Sequence, residues 1–403
     1  MTAVESADGA PDREVVLTLD HGVLLMHDPR AAEAAFIDEI FEKARRRGIG
    51  TILWRTLAGA RGLYRSRSVP TMADQSEAWE QLLAAMDPLQ AAVDSARRHN
   101  VRLFAWATLQ DFHIVRDWGV RNTSPFFDER PHLYWSGVDG RTRHPGIPCY
   151  AYEEARRYYL GHLAEVREYG VDGLFVCFRS HAGEPAEDDA FGYNQPWLEQ
   201  LTQETGVDAP PGRIRELPWL AWRLQKIRGD SYTVLLREVR EAAGSLPVWV
   251  STSEEPDILI AGHSEKENPG RALHRSRNDL GRWCREDLVD AVVVVTSRLN
   301  PCDPSVAEVW RDTTARSGKK LYTWLNMICH FHDGDGQLAK RTPTPMELRG
   351  IVQAARHCRI DGLVLHETAD LETSYRRVVV DGERRVVNEP HKDPEAQWDA
   401  LAL

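Results

Sequence analysis

The 403-residue chain has six cysteines, Cys149, Cys177, Cys284, Cys302, Cys329 and Cys358, and no two form a CxxC pair. That spacing excludes the usual structural zinc clusters and gives no basis for a disulfide frame, so buried thiols are expected. No apolar run approaches the ~20 residues of a membrane span. The polar stretch from Met1 to Arg13 lacks the apolar core of an export signal. It reads as a disordered lead-in to a cytoplasmic protein. No GxGxxG follows an expected strand, and there is no Walker A sequence and no HExxH. No cofactor or bound metal is therefore expected. The formal net charge is -11 and the basic residues are scattered, which argues against a nucleic-acid partner. Internal repeats and a clean linker are also lacking.

What the chain does have is a sustained alternation of short apolar runs and amphipathic segments. The β-rich runs are Glu14 to Leu19, Thr51 to Trp54, Val101 to Ala107, Leu174 to Phe178, Leu246 to Val250, Ala291 to Val295, Leu321 to Leu325 and Leu363 to Leu365. Between them lie helical patterns. One is Ala31 to Arg47, with Phe36, Ile37, Ile40, Phe41 and Ala44 on one face and Gly48 as its stop. Others are Gln75 to His99, broken at Asp87-Pro88, and Tyr152 to Tyr169. Ser231 to Ala243, Arg277 to Asp287, Val306 to Ser317 and Pro345 to Cys358 follow. About eight such βα units predict an α/β fold, a single (β/α)8 TIM barrel with long loops at the C-terminal face of the strands. The barrel is expected over residues 14–403, with insertions at 115–150 and 184–229.

In such a barrel the residues just past each strand converge on one face. The fourth run shows this best: LFVCF turns abruptly into Arg179, Ser180 and His181, then into a loop with Glu184, Glu187, Asp188 and Asp189. The last run ends at His366, Glu367 and Asp370. Glu367 is the leading catalytic carboxyl, with Glu254 or Asp111 as its partner. Asp20, Arg55, Trp106, Arg179, His181, Trp324, Asn326 and His366 form the candidate substrate-binding set. Paired carboxyls are what glycoside hydrolysis requires: one protonates the leaving oxygen and the other attacks or activates water. Thirteen tryptophans, among them Trp54, Trp106, Trp249 and Trp324 near strand ends, could offer flat faces to sugar rings. The competing structural reading places those indoles in the barrel core or beneath the helices.

Four stretches carry a resemblance. GVDGLFVCFRSH followed by FGYNQP, GIGTILWRT with LYRSRSVPT, RNDLGRWCREDLVDAVVVVTS, and GDSYTVLLREVREA occur in this order. Together they resemble glycosyl-hydrolase-like family 10, bacterial barrels described as glycosidases. The resemblance implies a carbohydrate substrate. Family members often carry an Asp on strand four where this chain has Cys177, and an Arg near the end of strand five where Trp249 and Ser251 stand.

The expected activity is hydrolysis of a small soluble glycoside or oligosaccharide, with no membrane partner; a homo-oligomer is compatible with the sequence but not required by it. Two alternatives stay open. His21, His113, His181, His330, His332 and His366 gather near strand ends and would suit a metal-dependent sugar or sugar-acid lyase, epimerase or isomerase. The Cys177 departure would suit a barrel that binds carbohydrate without cleaving it.

Overall fold

The apolar runs become eight parallel strands. They are β1 (Glu14–Leu19), β2 (Thr51–Ala58), β3 (Arg102–Gln110), β4 (Gly173–Ser180), β5 (Val248–Ser253), β6 (Ala291–Val295), β7 (Lys320–Asn326) and β8 (Gly362–His366). In this computed structural model each strand pairs with its neighbour in sequence, and β1 pairs with both β2 and β8. The ring is therefore closed, which leaves no exposed sheet edge. The structure describes residues 13–110, 113–115, 120–122, 124–180, 191–253, 258–259, 276–277, 279–295, 307–308, 310–327, 329–332, 338–380, 383–391 and 393–402. The expected lead-in before Arg13 lies outside them.

A helix follows each strand: α1 (Ala34–Arg46), α2 (Pro88–His99), α3 (Glu153–Glu168), α4 (Pro218–Ala243), α5 (Leu280–Arg285), α6 (Arg311–Ala315), α7 (Pro345–Arg356) and α8 (Pro394–Asp399). Their ends follow from local chemistry. Gly48, at φ +76°, supplies the left-handed residue just beyond α1. The Asp87 carboxylate accepts from the Leu89 amide at 3.1 Å and Pro88 occupies the first turn, so the expected break before α2 is a cap. Thr344 and Glu347 form a reciprocal capping box on α7. No described helix is long and apolar enough to cross a membrane.

Strand alternation sorts the side chains into two cores. Outward residues such as Leu17, Ile52, Leu103, Val176, Val250, Val292 and Leu365 pack under the helices. Inward residues fill the barrel: Val16, Leu53, Phe104, Trp106, Phe175, Cys177, Trp249, Val293, Tyr322, Trp324 and Val364. Large rings need small partners. A Cβ at Gly173 would lie 2.3 Å from Phe104 Cε1, so only glycine fits at that inward position. The N-terminal mouth is closed by charge. Glu14 accepts hydrogen bonds from Thr51 (2.5 Å), Arg102 (2.6 Å) and Tyr322 (2.8 Å). Burial pushes the Glu14 carboxyl up, but these partners outweigh it and hold it below its ordinary range.

The opposite, C-terminal face carries the additions. Residues after β7 and β8 build a four-stranded antiparallel sheet from Cys329–His332, Leu338–Arg341, Thr373–Val380 and Glu383–Pro390. Helices Gln195–Thr205 and Pro211–Glu216 share a separate core, around Trp135, Trp197, Ile214 and Leu224, with the first turns of α4.

Candidate active site

The C-terminal ends of β1 and β8 hold the site. Val364 points into the barrel and Leu363 and Leu365 point out, so the period of two brings His366 inward at the mouth. The His366–Glu367 peptide bond is cis. On β1 the same alternation turns Thr18 and, just past the strand, Asp20 toward the same mouth. Three contacts then join the two chain ends. Thr18 Oγ1 and His366 Nδ1 share a hydrogen bond of 2.8 Å, the Thr368 amide donates to the Thr18 carbonyl at 3.0 Å, and the Asp20 amide donates to Glu367 Oε1 at 2.9 Å. Glu367 Oε2 is shielded from solvent and accepts no hydrogen bond among the described residues; His366 Nδ1 lies 3.4 Å from it.

Arg55 comes from β2, where a register shift between Arg55 and Leu57 interrupts the pairing with β3. Its guanidinium lies 5.2 Å from the Trp106 ring centroid and donates through Nη1 to Asp20 Oδ2. The other Asp20 oxygen accepts from the Gly22 amide at 2.9 Å. Trp106, Trp324 and His366 pack on one another, with centroid separations of 5.4, 5.7 and 4.7 Å. Asn326 sits beside His366 in the β7–β8 register, and its Oδ1 accepts from Trp324 Nε1 at 3.2 Å.

Glu367 is 6% exposed. Burial is the largest influence on it and raises its pKa; the charges of Asp20 and Asp370 raise it further. The Asp20 amide and Arg55 pull the other way but do not prevail, so the carboxyl sits well above its ordinary range. Asp370 is partly covered, and burial pushes it to about 8 against the opposing pull of the Glu367 amide. A carboxyl kept neutral near pH 7 can donate a proton, which an ordinary exposed glutamate cannot.

The structure brings Glu367, His366, Asn326, Asp20, Arg55, Trp106 and Trp324 to one end of the barrel. Glu254, Asp111 and His181 lie outside the described residues, as do Glu184, Glu187, Asp188 and Asp189. Arg179 is on β4, with its side chain outside the described set. One expectation is corrected. Trp106 and Trp324 are 3% and 0% exposed, so their rings floor the mouth instead of offering a free stacking face. Both Asp20 oxygens accept hydrogen bonds within the protein, from the Gly22 amide and from Arg55.

Of the other candidates, Trp54 faces the helices and stacks near Phe41, while Trp249 lies deeper in the barrel between Phe104 and Tyr322. His21 also faces outward. Its Nε2 lies 2.7 Å from the Ala31 carbonyl, it stacks on Trp54, and burial lowers it to about 4. Among the described residues, no three His, Cys, Asp or Glu side chains are grouped to hold a metal ion. Thr18 and Thr368 are not among the sequence candidates, and Asp370 enters there only as a residue following the last strand. Thr18 was signalled only by being a polar residue two before Asp20 in an apolar strand.

Solved structures similar in fold include the catalytic domain of beta-amylase from Paenibacillus polymyxa. It has a TM-score of 0.56 at 9% identity, covering 98% of this chain and 99% of that one. The PgaB (BpsB) glycoside hydrolase domain from Bordetella bronchiseptica gives 0.55 at 14% identity, covering 98% and 99%. The beta-galactosidase from Marinomonas ef1 gives 0.52 at 11%, covering 88% of this chain and 54% of that one. At such identities the likeness is one of fold. No curated protein sequence matches the chain. The family model for Glycosyl hydrolase-like 10 matches residues 20–322, a span that takes in Asp20, Arg55 and Trp106 and ends before Asn326, His366 and Glu367. By that match over most of its length, the chain belongs to the glycosyl hydrolase-like 10 family.

Proposed function

We propose that this protein is a glycoside hydrolase acting on a small soluble glycoside or oligosaccharide, with Glu367 as its general acid. The observation that carries the reading is the setting of Glu367: buried at the strand ends, its pKa raised by that burial, with one oxygen fixed by the Asp20 amide and the other without a hydrogen bond among the described residues. In the reaction Glu367 gives its proton to the leaving oxygen as the glycosidic bond breaks. A second carboxyl, Glu254 or Asp111, attacks the anomeric carbon or takes a proton from water. His366 and Asn326, with Arg179 and His181, bind sugar hydroxyls. The family and the fold neighbours support the class of chemistry; the sugar and linkage rest on experiment.

The test is Glu367→Gln, which mimics the neutral carboxyl in shape and keeps an acceptor for the Asp20 amide. Turnover across a panel of small glycosides is expected to fall by roughly 10²–10⁴ with circular dichroism unchanged. Wild-type rates in that variant would remove Glu367 from the mechanism. Loss of wild-type activity on chelation would instead favour a metal-dependent reaction. A bound structure then separates outcomes at the anomeric carbon: carboxyls about 5 Å apart mean retention, and roughly 6.5–9.5 Å means inversion.

A further inference from the structure

Asp20 was expected to touch substrate, yet every polar atom described for it is turned to the protein. Oδ1 accepts from the Gly22 amide, Oδ2 from Arg55, and the main-chain amide donates to Glu367 Oε1 at 2.9 Å. We infer that Asp20 is the positioning residue for Glu367: its amide gives the two oxygens of that carboxyl different tasks, and its side chain, tied to Arg55, sets the charge beside them. The inference rests on the reading of Glu367 as proton donor and assigns a role to the residue next to it.

Glu367 Oε1, accepting from an amide, cannot carry the proton in that direction, because a hydrogen already lies between the two atoms. In the protonated form the hydrogen therefore sits on Oε2, the oxygen without a hydrogen bond among the described residues. Among the described residues the charged and titratable groups that bear on Glu367 are Asp20 from the end of β1, Arg55 from β2, and His366 and Asp370 from its own segment. Asp20 and Arg55 act with opposite sign. Because they are paired with each other, the charge felt by Glu367 is a difference, which substitution of either one unbalances. The pair is held in place by the backbone on one side and by Trp106 beneath the guanidinium on the other.

The experiment follows the Glu367 carboxyl itself. Full-length protein is labelled with [5-¹³C]glutamate, and the Glu367 resonance is assigned by its loss in Glu367→Gln. Its titration midpoint is compared in wild type, Asp20→Asn and Arg55→Gln. Asp20 also caps the short helix His21–His27 through the Gly22 amide; asparagine keeps the main-chain amide and a capping oxygen, so the first variant removes the charge together with the acceptor for Arg55. The Asp20→Asn midpoint is expected to fall by about one pH unit or more, and the Arg55→Gln midpoint to rise. In active protein the limb of the rate profile governed by the acid moves with it. A midpoint in Asp20→Asn that is unchanged or higher overturns the role; if that variant does not fold, an unchanged or lower midpoint in Arg55→Gln does so. The readout separates the two layers. A shifted titration in a protein that cleaves no glycoside keeps Asp20's role and removes the hydrolase reading. An unshifted titration in an active enzyme does the reverse.

Discussion

Burial raises the pKa of both Glu367 and Asp370 in the folded protein, so each binds its proton more tightly there than in the unfolded chain. Both folded pKa values lie above the ordinary carboxyl range, Asp370 at about 8. Unfolding therefore releases protons above roughly pH 4, up to about 8 for Asp370, and stability falls as pH rises through that window. Replacing Asp370 by Asn removes its share of the fall. Asp370→Asn is expected to match wild type in thermal midpoint near pH 4 and to exceed it near pH 8, by an amount of order 1 kcal/mol or more. A thermal series over pH checks this; a gain of the same size at both ends would place the effect outside titration. Histidines behave with the opposite sign. Burial lowers His21 to about 4 and His162 to about 3, so each contributes stability that is lost as pH falls below about 6.5.

At the level of elements, α3 fastens the loop after β2. Glu165 accepts from Ser66 Oγ (2.7 Å), Ser68 Oγ (2.5 Å), the Arg67 amide (2.7 Å) and Tyr64 Oη (3.0 Å). Burial works against its charge, but the serines and amides outweigh it and bring it to about 2. Glu165→Ala leaves that ring of donors without an acceptor and is expected to destabilise by roughly 1–3 kcal/mol. Hydrogen exchange should then speed up across Tyr64–Val69 and little elsewhere; uniform change would contradict a local clamp. Inside the barrel, Gly173→Ala forces a methyl against Phe104 and should cost about 1–3 kcal/mol in denaturant unfolding.

These elements also show what the sequence made legible. The strand centres were readable, because only apolar side chains suit a core on both faces. The strand ends were not. Hydrogen bonding continues past the change of polarity, so Arg55, Arg179, Asn326 and His366 belong to strands although an apolar run excludes them. The pattern found α4 from Ser231, but the helix begins at Pro218, since its first half packs against the additional core and not the barrel. Glu367 could be ranked first from position alone. That Asp20 turns both its oxygens inward, and that Trp106 and Trp324 lie under the mouth, depends on contacts between strands distant in sequence.

For the molecule as a whole, closure by the β1–β8 pairing is what joins Thr18 and Asp20 to His366 and Glu367 across about 350 residues of chain. The stability profile should carry the same organisation. Between about pH 4 and 6.5 His21 and His162 oppose Glu367 and Asp370, giving a shallow region. Between about 6.5 and 8 the titration of Asp370 continues to lower stability while those histidines no longer contribute a slope.

The central claim is that this barrel delivers a proton from Glu367 to a departing oxygen. The most direct measurement is the leaving-group dependence of hydrolysis in wild type and Glu367→Gln, using aryl glycosides of graded phenol acidity. The account predicts a loss of roughly 10²–10⁴ for alkyl and weakly acidic aryl groups that shrinks steadily as the phenol becomes acidic enough to depart unaided. A loss of equal size for every leaving group, or no loss for any, would contradict it.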